Sequence, residues 1–558
     1  MTLLTLTPPL SHQGRGGMIG KTISFLIASL VAAPILIILS SWRTPMDDVF
    51  LHLVTTGLSD VLRNTLWLVI GAAVGTTFLG VSLAMITTTF EFPGRSFFNW
   101  ALVLPLAIPT YVLAFIAIAL FDVTGPVHSQ LRAWGFSGLP GMRSRFGIIF
   151  VMTMALYPYV YLLARNGFLS TSKRATEVAQ SLGQTSASAF FKVILPMTQP
   201  MILSGLMLVV METLADFGAV SIFNYDTLTT TLYKAWFSMF SLDSAAKFSS
   251  LLIVLVFLIL WIEKKARQRK RYTSSEKQPH PNPRKILKGA SRLCAVAYCF
   301  IILLIAFMLP ILYLLSETFS TLKQDLDLRY FGFLGRSLAL SAMAAILIVL
   351  SAWVIGLAGR RGQSLIVRLA TLGYALPGTI LAVGGIIMVT FLDHTLASLF
   401  HWDGLFLTGT LCAMMLGYAA RFLTLAHNPI ESALHRITPH IEEAARSLGL
   451  SSFNILKKIH FPLLKSGVMT GALLVFVDVM KEMPITLMTR PFGWDTLAVK
   501  IFQFTAEGEW DRAALPAITL VLFSLVPVIL LASERSERRL RVGTPTAVIA
   551  ASQATFAS

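Results

Sequence analysis

A chain of 558 residues that is 55% apolar and only 13% charged is too poor in charge for a water-soluble protein, since soluble domains carry roughly 25% charged residues. Its apolar residues fall in runs of about twenty, the length that crosses a roughly 30 Å hydrocarbon core. Unbroken runs of that length exclude a β-barrel, whose strands alternate over short segments. The net charge of +17 does not point to nucleic acid, because the basic residues collect in short stretches between apolar runs, as on the cytoplasmic side of membrane proteins.

Residues 1–21 read as a cytoplasmic N-terminal segment, with Met18 an alternative start and no cleavable signal evident. Within it Arg15-Gly-Gly-Met-Ile-Gly20-Lys-Thr22 imitates a phosphate-binding loop. Arg15 takes the first required glycine position, no strand precedes it and an apolar span follows, so it is not one. Six spans at 22–41, 64–86, 98–121, 146–164, 201–222 and 246–262 form a first unit, 22–262. Segment 263–292 holds eleven Lys and Arg against two acids, with Pro279, Pro281 and Pro283, and reads as a flexible cytoplasmic linker. Six further spans at 293–316, 337–357, 369–392, 405–425, 466–489 and 513–533 form a second unit, 293–533. The tail 534–558 carries Arg535, Arg538, Arg539 and Arg541. An even number of spans puts both termini in the cytoplasm. The predicted fold is an all-α polytopic membrane protein of about 12 transmembrane helices, built as two parallel six-helix repeats about an axis along the membrane normal.

The repeat is explicit between spans four and five of each unit. Glu177-Val-Ala-Gln-Ser-Leu-Gly183, closed by Pro196, returns 266 residues later as Glu443-Ala-Ala-Arg-Ser-Leu-Gly449, closed by Pro462. Eight of the twenty positions are identical without a gap. Each copy reads as two short helices around the glycine, which tolerates positive φ at a helix end, with proline at the entry to the next span. Ala179, Ala444 and Ala445 supply a small-residue face. The competing reading, an amphipathic loop at the membrane surface, is disfavoured by the appearance of two copies at equivalent places.

Glu-Ala-Ala, three residues, Gly, nine residues, then Ile-x-Leu-Pro resembles the pattern of the inner-membrane permeases of bacterial binding-protein-dependent ABC importers. The second copy matches through Glu443, Ala444, Ala445, Gly449, Ile459 and Pro462, with Phe461 in place of Leu. The first copy departs at Val178 and ends on Val193, Leu195 and Pro196. The resemblance covers nearly the whole chain and implies the fused form, two permease units in one polypeptide. It implies that Glu177, Ala179, Gly183, Pro196 and their counterparts form coupling loops for two copies of an ABC ATP-binding subunit, which would use the ATP and Mg. A periplasmic substrate-binding protein would deliver the cargo, this chain would bind no cofactor and catalyse no reaction, and the location would be the bacterial inner membrane. Leu104-Pro-Leu-Ala-Ile-Pro109, Tyr157-Pro-Tyr-Val-Tyr161, Tyr374-Ala-Leu-Pro-Gly378, Asp478-Val-Met-Lys-Glu-Met-Pro484 and Arg490-Pro-Phe-Gly-Trp-Asp look like the ferric-iron branch. The thiamine branch stands beside it, and an ion-coupled secondary carrier is the alternative of another class.

Glu212 and Asp216 in span five recur 266 residues on as Asp478 and Glu482 in span eleven. Each pair shares a helix face at i, i+4, and a charge at mid-bilayer costs about 2.5–3.5 kcal/mol. Two readings compete. The acids line a cation pathway, without confident metal ligation, or they satisfy backbone freed at a helix break (Gly218 and Pro484 follow at once) and pair locally with Lys481. Tyr157, Tyr159 and Tyr161 read as an interfacial aromatic belt, His460 as a surface residue, and Cys294, Cys299 and Cys412 as buried thiols without a disulfide or zinc spacing.

Overall fold

A computed structural model of the chain describes residues 15–135, 141–170, 173–268, 284–360, 362–401 and 404–526. The arginines at 535–541 and linker positions 269–283 lie outside them. Among the described residues, ten helices are long and apolar enough to cross a membrane. Cys412–Leu434 falls below that hydropathy because it carries Arg421, His427 and Glu431, and Ala514–Val526 is a shorter apolar helix. The polypeptide is an all-α membrane protein; these two helices bring the candidate spans to about twelve, and among the described residues the only strands are two-residue pieces.

Two expected spans are interrupted. Span three is the helix Arg95–Ala101, a 3-10 turn at Leu104–Ala107 and the helix Thr110–Phe121, parted at Pro109. Span nine repeats this as Ser364–Thr371, a 3-10 turn at Leu372–Ala375 and Gly378–Phe400, parted at Pro377. Proline lacks the N–H that would continue the ladder and excludes the preceding residue from helix. Span ten sits later than expected, at Cys412–Leu434 rather than 405–425.

The chain packs as two bodies that cut across the sequence repeats. One comprises Asp47–Ser244, Leu251–Leu334 and Asp495–Ser558, the other Met1–Met46, Ala245–Ser250 and Gly335–Trp494. The first span of each repeat thus belongs to the body built mainly from the other repeat. In the first body the 42-residue helix Asp48–Thr89 packs along Arg145–Ser170, which also packs on Leu195–Ala215. The Arg512 guanidinium ties the last repeat's end to Asp325 (Nε–Oδ1 2.9 Å) at the end of Leu309–Asp325. In the second body Arg15–Ser40 crosses Gly378–Phe400, and Gly384 permits the approach, since a Cβ there would stand 2.7 Å from the Pro34 carbonyl oxygen. The fully buried Lys247 ammonium donates to the Pro45 carbonyl (3.0 Å) and the Thr44 hydroxyl (3.2 Å) at the end of that span.

The described parts of the linker belong to or flank regular elements. Residues 263–268 continue the helix Leu242–Gln268, and Lys285–Ile286 pairs in parallel with Phe90–Glu91. A carboxylate explains the anchoring: Glu91 meets Arg95 at 3.0 Å and Arg284 at 3.5 Å.

The duplication extends to single contacts. Gly205 lies against the backbone of Val160 (2.9 Å from a notional Cβ to Val160 Cα), and Gly471, 266 residues on, lies against Ala426 at 3.2 Å. Overpacking at such a crossing costs about 1–3 kcal/mol. Gly205→Val and Gly471→Val should therefore each lower the thermal midpoint in detergent, whereas Gly57→Val, where nothing lies within 4 Å, should shift it little. Equal shifts at all three positions would rule out this packing.

Candidate functional site

The two repeated loops have the same backbone. The first is the helix Lys173–Ser181, a reversal at Gly183, the turn Ser186–Ala189, a π-helical turn Phe190–Ile194 and the helix Leu195–Ala215. The second is Pro439–Ser447, Gly449, Ser452–Ile455, the π turn Leu456–His460 and Phe461–Met480. Gly183 has φ 81° and Gly449 φ 78°. In the first loop the Gly183 N–H donates to the Gln180 carbonyl (2.9 Å) and the Gln184 N–H to the Ala179 carbonyl (3.0 Å). In the second, Gly449 donates to Arg446 (2.9 Å) and Leu450 to Ala445 (3.1 Å). This double closure satisfies the last carbonyls of each helix and requires a left-handed residue. Nothing lies within 4 Å of a Cβ on either glycine, so φ demands glycine here, not space.

Two residues of the small-residue face are turned inward, and the remaining surface, Ala444 included, outward. Ala179 and Ala445 are buried, while Leu182 and Leu448 at the tips are 77% and 82% exposed. Glu177, Glu443 and Ala444 are also exposed, and Glu443 lies 3.4 Å from the exposed His440. Each loop thus presents an acidic residue and an apolar knob beside it. Pro196 and Pro462 are second residues of the helices that follow the π turns. The Leu195 N–H reaches back five residues to the Phe190 carbonyl, and this wider turn accommodates the missing proline donor.

The helices leaving these loops end at the acids. Leu195–Ala215 stops at Asp216, and the short helix Gly218–Ile222 follows. Asp216 Oδ1 accepts the N–H groups of Ala219 (2.9 Å) and Val220 (3.3 Å), Oδ2 accepts the Thr110 hydroxyl, and the Asp216 carbonyl accepts the Thr229 hydroxyl at 2.8 Å. Phe461–Met480 likewise precedes Glu482 and the helix Pro484–Thr489. Glu482 Oε1 accepts the Ile485 N–H (3.1 Å), its carbonyl accepts the Thr486 hydroxyl (2.7 Å), and Oε2 faces Arg421 Nε at 3.7 Å. A Cβ on Gly378 would stand 2.7 Å from Glu482 Oε1 and 2.5 Å from Arg421 Nη1.

In both bodies, then, a carboxylate at the break of one span rests at the start of the helix that follows the break of another, Thr110 after Pro109 and Gly378 after Pro377. The positive ends of those helices favour it. The backbone-satisfying role is thereby realised for Asp216 and Glu482, and Asp478 pairs with Lys481 at 2.7 Å. Glu212 lies half-buried one turn before Asp216. Sequence reasoning missed Thr110, Gly378 and Arg421; the proline before each of the first two was the available signal.

Three other expectations are corrected. Tyr157 and Tyr161 form no belt: both are fully buried, because Arg145–Ser170 is the central helix of its body, and the Tyr161 hydroxyl donates to the Asn99 carbonyl at 3.2 Å. His460 is buried, since the π turn leads straight into a span and faces neighbouring helices. Only Cys299 of the three thiols is buried; Cys294 lies in the second turn of its helix and Cys412 opens its own. Among the described residues no three His, Cys, Asp or Glu side chains converge in a way that could hold a metal ion.

The chain matches the family of binding-protein-dependent transport system inner membrane components twice, over residues 76–263 and 346–542. It is 27% identical to the Fe(3+)-transport system permease protein FbpB 2 of Haemophilus influenzae over 482 residues, 85% of this chain and 90% of the relative. It is 22% identical to a probable ABC transporter permease protein, y4fN, of Sinorhizobium fredii over 85% of this chain and 87% of that one. It is also similar to the molybdate/tungstate transport system permease protein WtpB of Thermococcus kodakarensis, at 25% over 43% of this chain and 92% of that protein. A double family match, each copy carrying one glycine-closed loop and one acid-capped helix break, makes this chain a fused two-unit permease of the binding-protein-dependent ABC importers, a multi-pass protein of the inner membrane.

Proposed function

We propose that the chain moves ferric iron from a periplasmic binding protein into the cytoplasm by alternating access, driven by two ATP-binding subunits seated on the loops around Glu177–Gly183 and Glu443–Gly449. The observation that carries this reading is the identical glycine-closed geometry of the two loops. Two equivalent handles suit two equivalent partners, and each offers an acid and an exposed leucine to a groove. Both termini and the basic linker then face the cytoplasm, where Lys and Arg accumulate. ATP and Mg act on the partner, whose two nucleotide states must contact the loops differently for work to be transmitted. The relative that matches along 85% of this chain is named for Fe(3+), which favours iron over an oxyanion, and carboxylates suit a hard cation. Contact with the four acids is transient, since a tight site would hold its cargo.

Gly183→Asp and Gly449→Asp place a branched, charged side chain at positive φ, at a cost of roughly 1–2 kcal/mol. Each should leave the protein in the membrane but abolish copurification of the ATP-binding subunit and ATP-driven uptake, with Gly449→Asn milder because it adds no charge to the loop. Undiminished uptake by both Asp variants in proteoliposomes would refute the docking role.

Asp216→Asn and Glu482→Gln keep an oxygen to accept the Ala219 or Ile485 N–H while removing the charge. They should reduce iron uptake with partner assembly intact. Asp216→Leu removes the cap as well and should also lower stability, by about 1–2 kcal/mol. If the isosteric pair transports like the parent chain, the carboxylates are structural only.

A further inference from the structure

We propose that the start of the helix Gly289–Leu303 carries a binding site for one anionic phospholipid, held by its phosphate at a basic rim and by its acyl chains in an apolar trough. An open groove of about 520 Å³ is lined by Pro93, Gly289, Ala290, Arg292, Leu293 and Val296. Its walls are apolar, Leu293 is 70% exposed, and Gly289 has open space where a side chain would stand. Left bare, such a surface at the mouth of a span is covered by lipid.

The rim selects the lipid's charge. Arg292 is exposed and makes no ion pair among the described residues. Lys285 and Lys288 stand on the segment that pairing with Phe90–Glu91 fixes beside the helix. The nearby acid, Glu91, is engaged by Arg95 and Arg284. Lys288 gives the helix no side-chain cap, and its first turn has no acidic residue, so its free N–H groups add to the positive field. A soluble anion would satisfy the rim but leave the trough empty, whereas a headgroup phosphate with its chains satisfies both. The binding does not depend on the proposed orientation of the chain; only the leaflet that supplies the lipid does.

The test is native mass spectrometry of the full chain in mild detergent, titrated with phosphatidylglycerol or phosphatidylcholine. Each basic residue near a membrane surface contributes about fivefold to binding an anionic lipid. The parent chain should retain one phosphatidylglycerol in preference to phosphatidylcholine. Lys288→Gln with Arg292→Gln should weaken that binding roughly thirtyfold. Ala290→Trp, which fills the trough with the charges intact, should abolish it in a chain that still elutes as a single species. Equal retention of the two lipids, or unchanged phosphatidylglycerol binding in both variants, would overturn the assignment. So would displacement by soluble glycerophosphoglycerol at the lipid's own concentration, which would mark a bare phosphate site. The docking-loop variants read the transport proposal separately, so the two fail independently.

Discussion

A helix that breaks inside hydrocarbon releases N–H and C=O groups that no water can satisfy, and each orphan costs several kcal/mol. The architecture around Asp216 and Glu482 answers that constraint in both bodies with one residue at the break. Its side chain accepts the N–H three positions ahead, Ala219 or Ile485, and its own carbonyl accepts a threonine hydroxyl. The threonines come from different places, Thr229 thirteen residues on and Thr486 in the next turn, yet the task is the same. In the second copy Pro484 removes one donor outright, so fewer groups need an acceptor there.

The same carboxylates account for the second pair of breaks. Pro109 and Pro377 end one helix and start another, whose positive N-terminal end lies against the acid. The two copies diverge in what completes the charge. Asp216 meets the neutral Thr110 hydroxyl, whereas Glu482 faces the Arg421 guanidinium beside Gly378, where a Cβ would crowd both side chains. One site meets its carboxyl with a hydroxyl and the other with a guanidinium. A duplicated chain can specialise in this way because a single gene fixes which copy carries which partner; a homodimer of one unit could not.

Much of this was legible in residues. The offset of 266 recurs in the loops, the acids and the Gly205/Gly471 crossing, because duplication preserves spacing while side chains drift. Gly183 and Gly449 announced their turns, since positive φ leaves few alternatives. The burial of Tyr157 and Tyr161 was not legible: an aromatic run reads alike at an interface and in a bundle centre, and only the neighbours decide. The exchange of first spans between bodies was equally hidden. One apolar helix resembles another to a hydropathy scale, and helix partners in a membrane are chosen by small-residue crossings such as Gly384 on Pro34.

The elements that carry the proposed function are joined without an intermediate. Leu195–Ala215 begins at one repeated loop and ends at Asp216; Phe461–Met480 begins at the other and ends just before Glu482. Helices of 21 and 20 residues cover about 30 Å at 1.5 Å per residue. A displacement imposed on either loop therefore arrives at a helix break along a single rod, the break being where backbone bonds to one carboxylate, and not a continuous ladder, resist motion. Coupling of this kind needs no network of intermediates, only an element with two arrangements that both ends can bias. At each break the hydrogen bonds to Asp216 and Glu482 hold the short helices Gly218–Ile222 and Pro484–Thr489 in their observed arrangement.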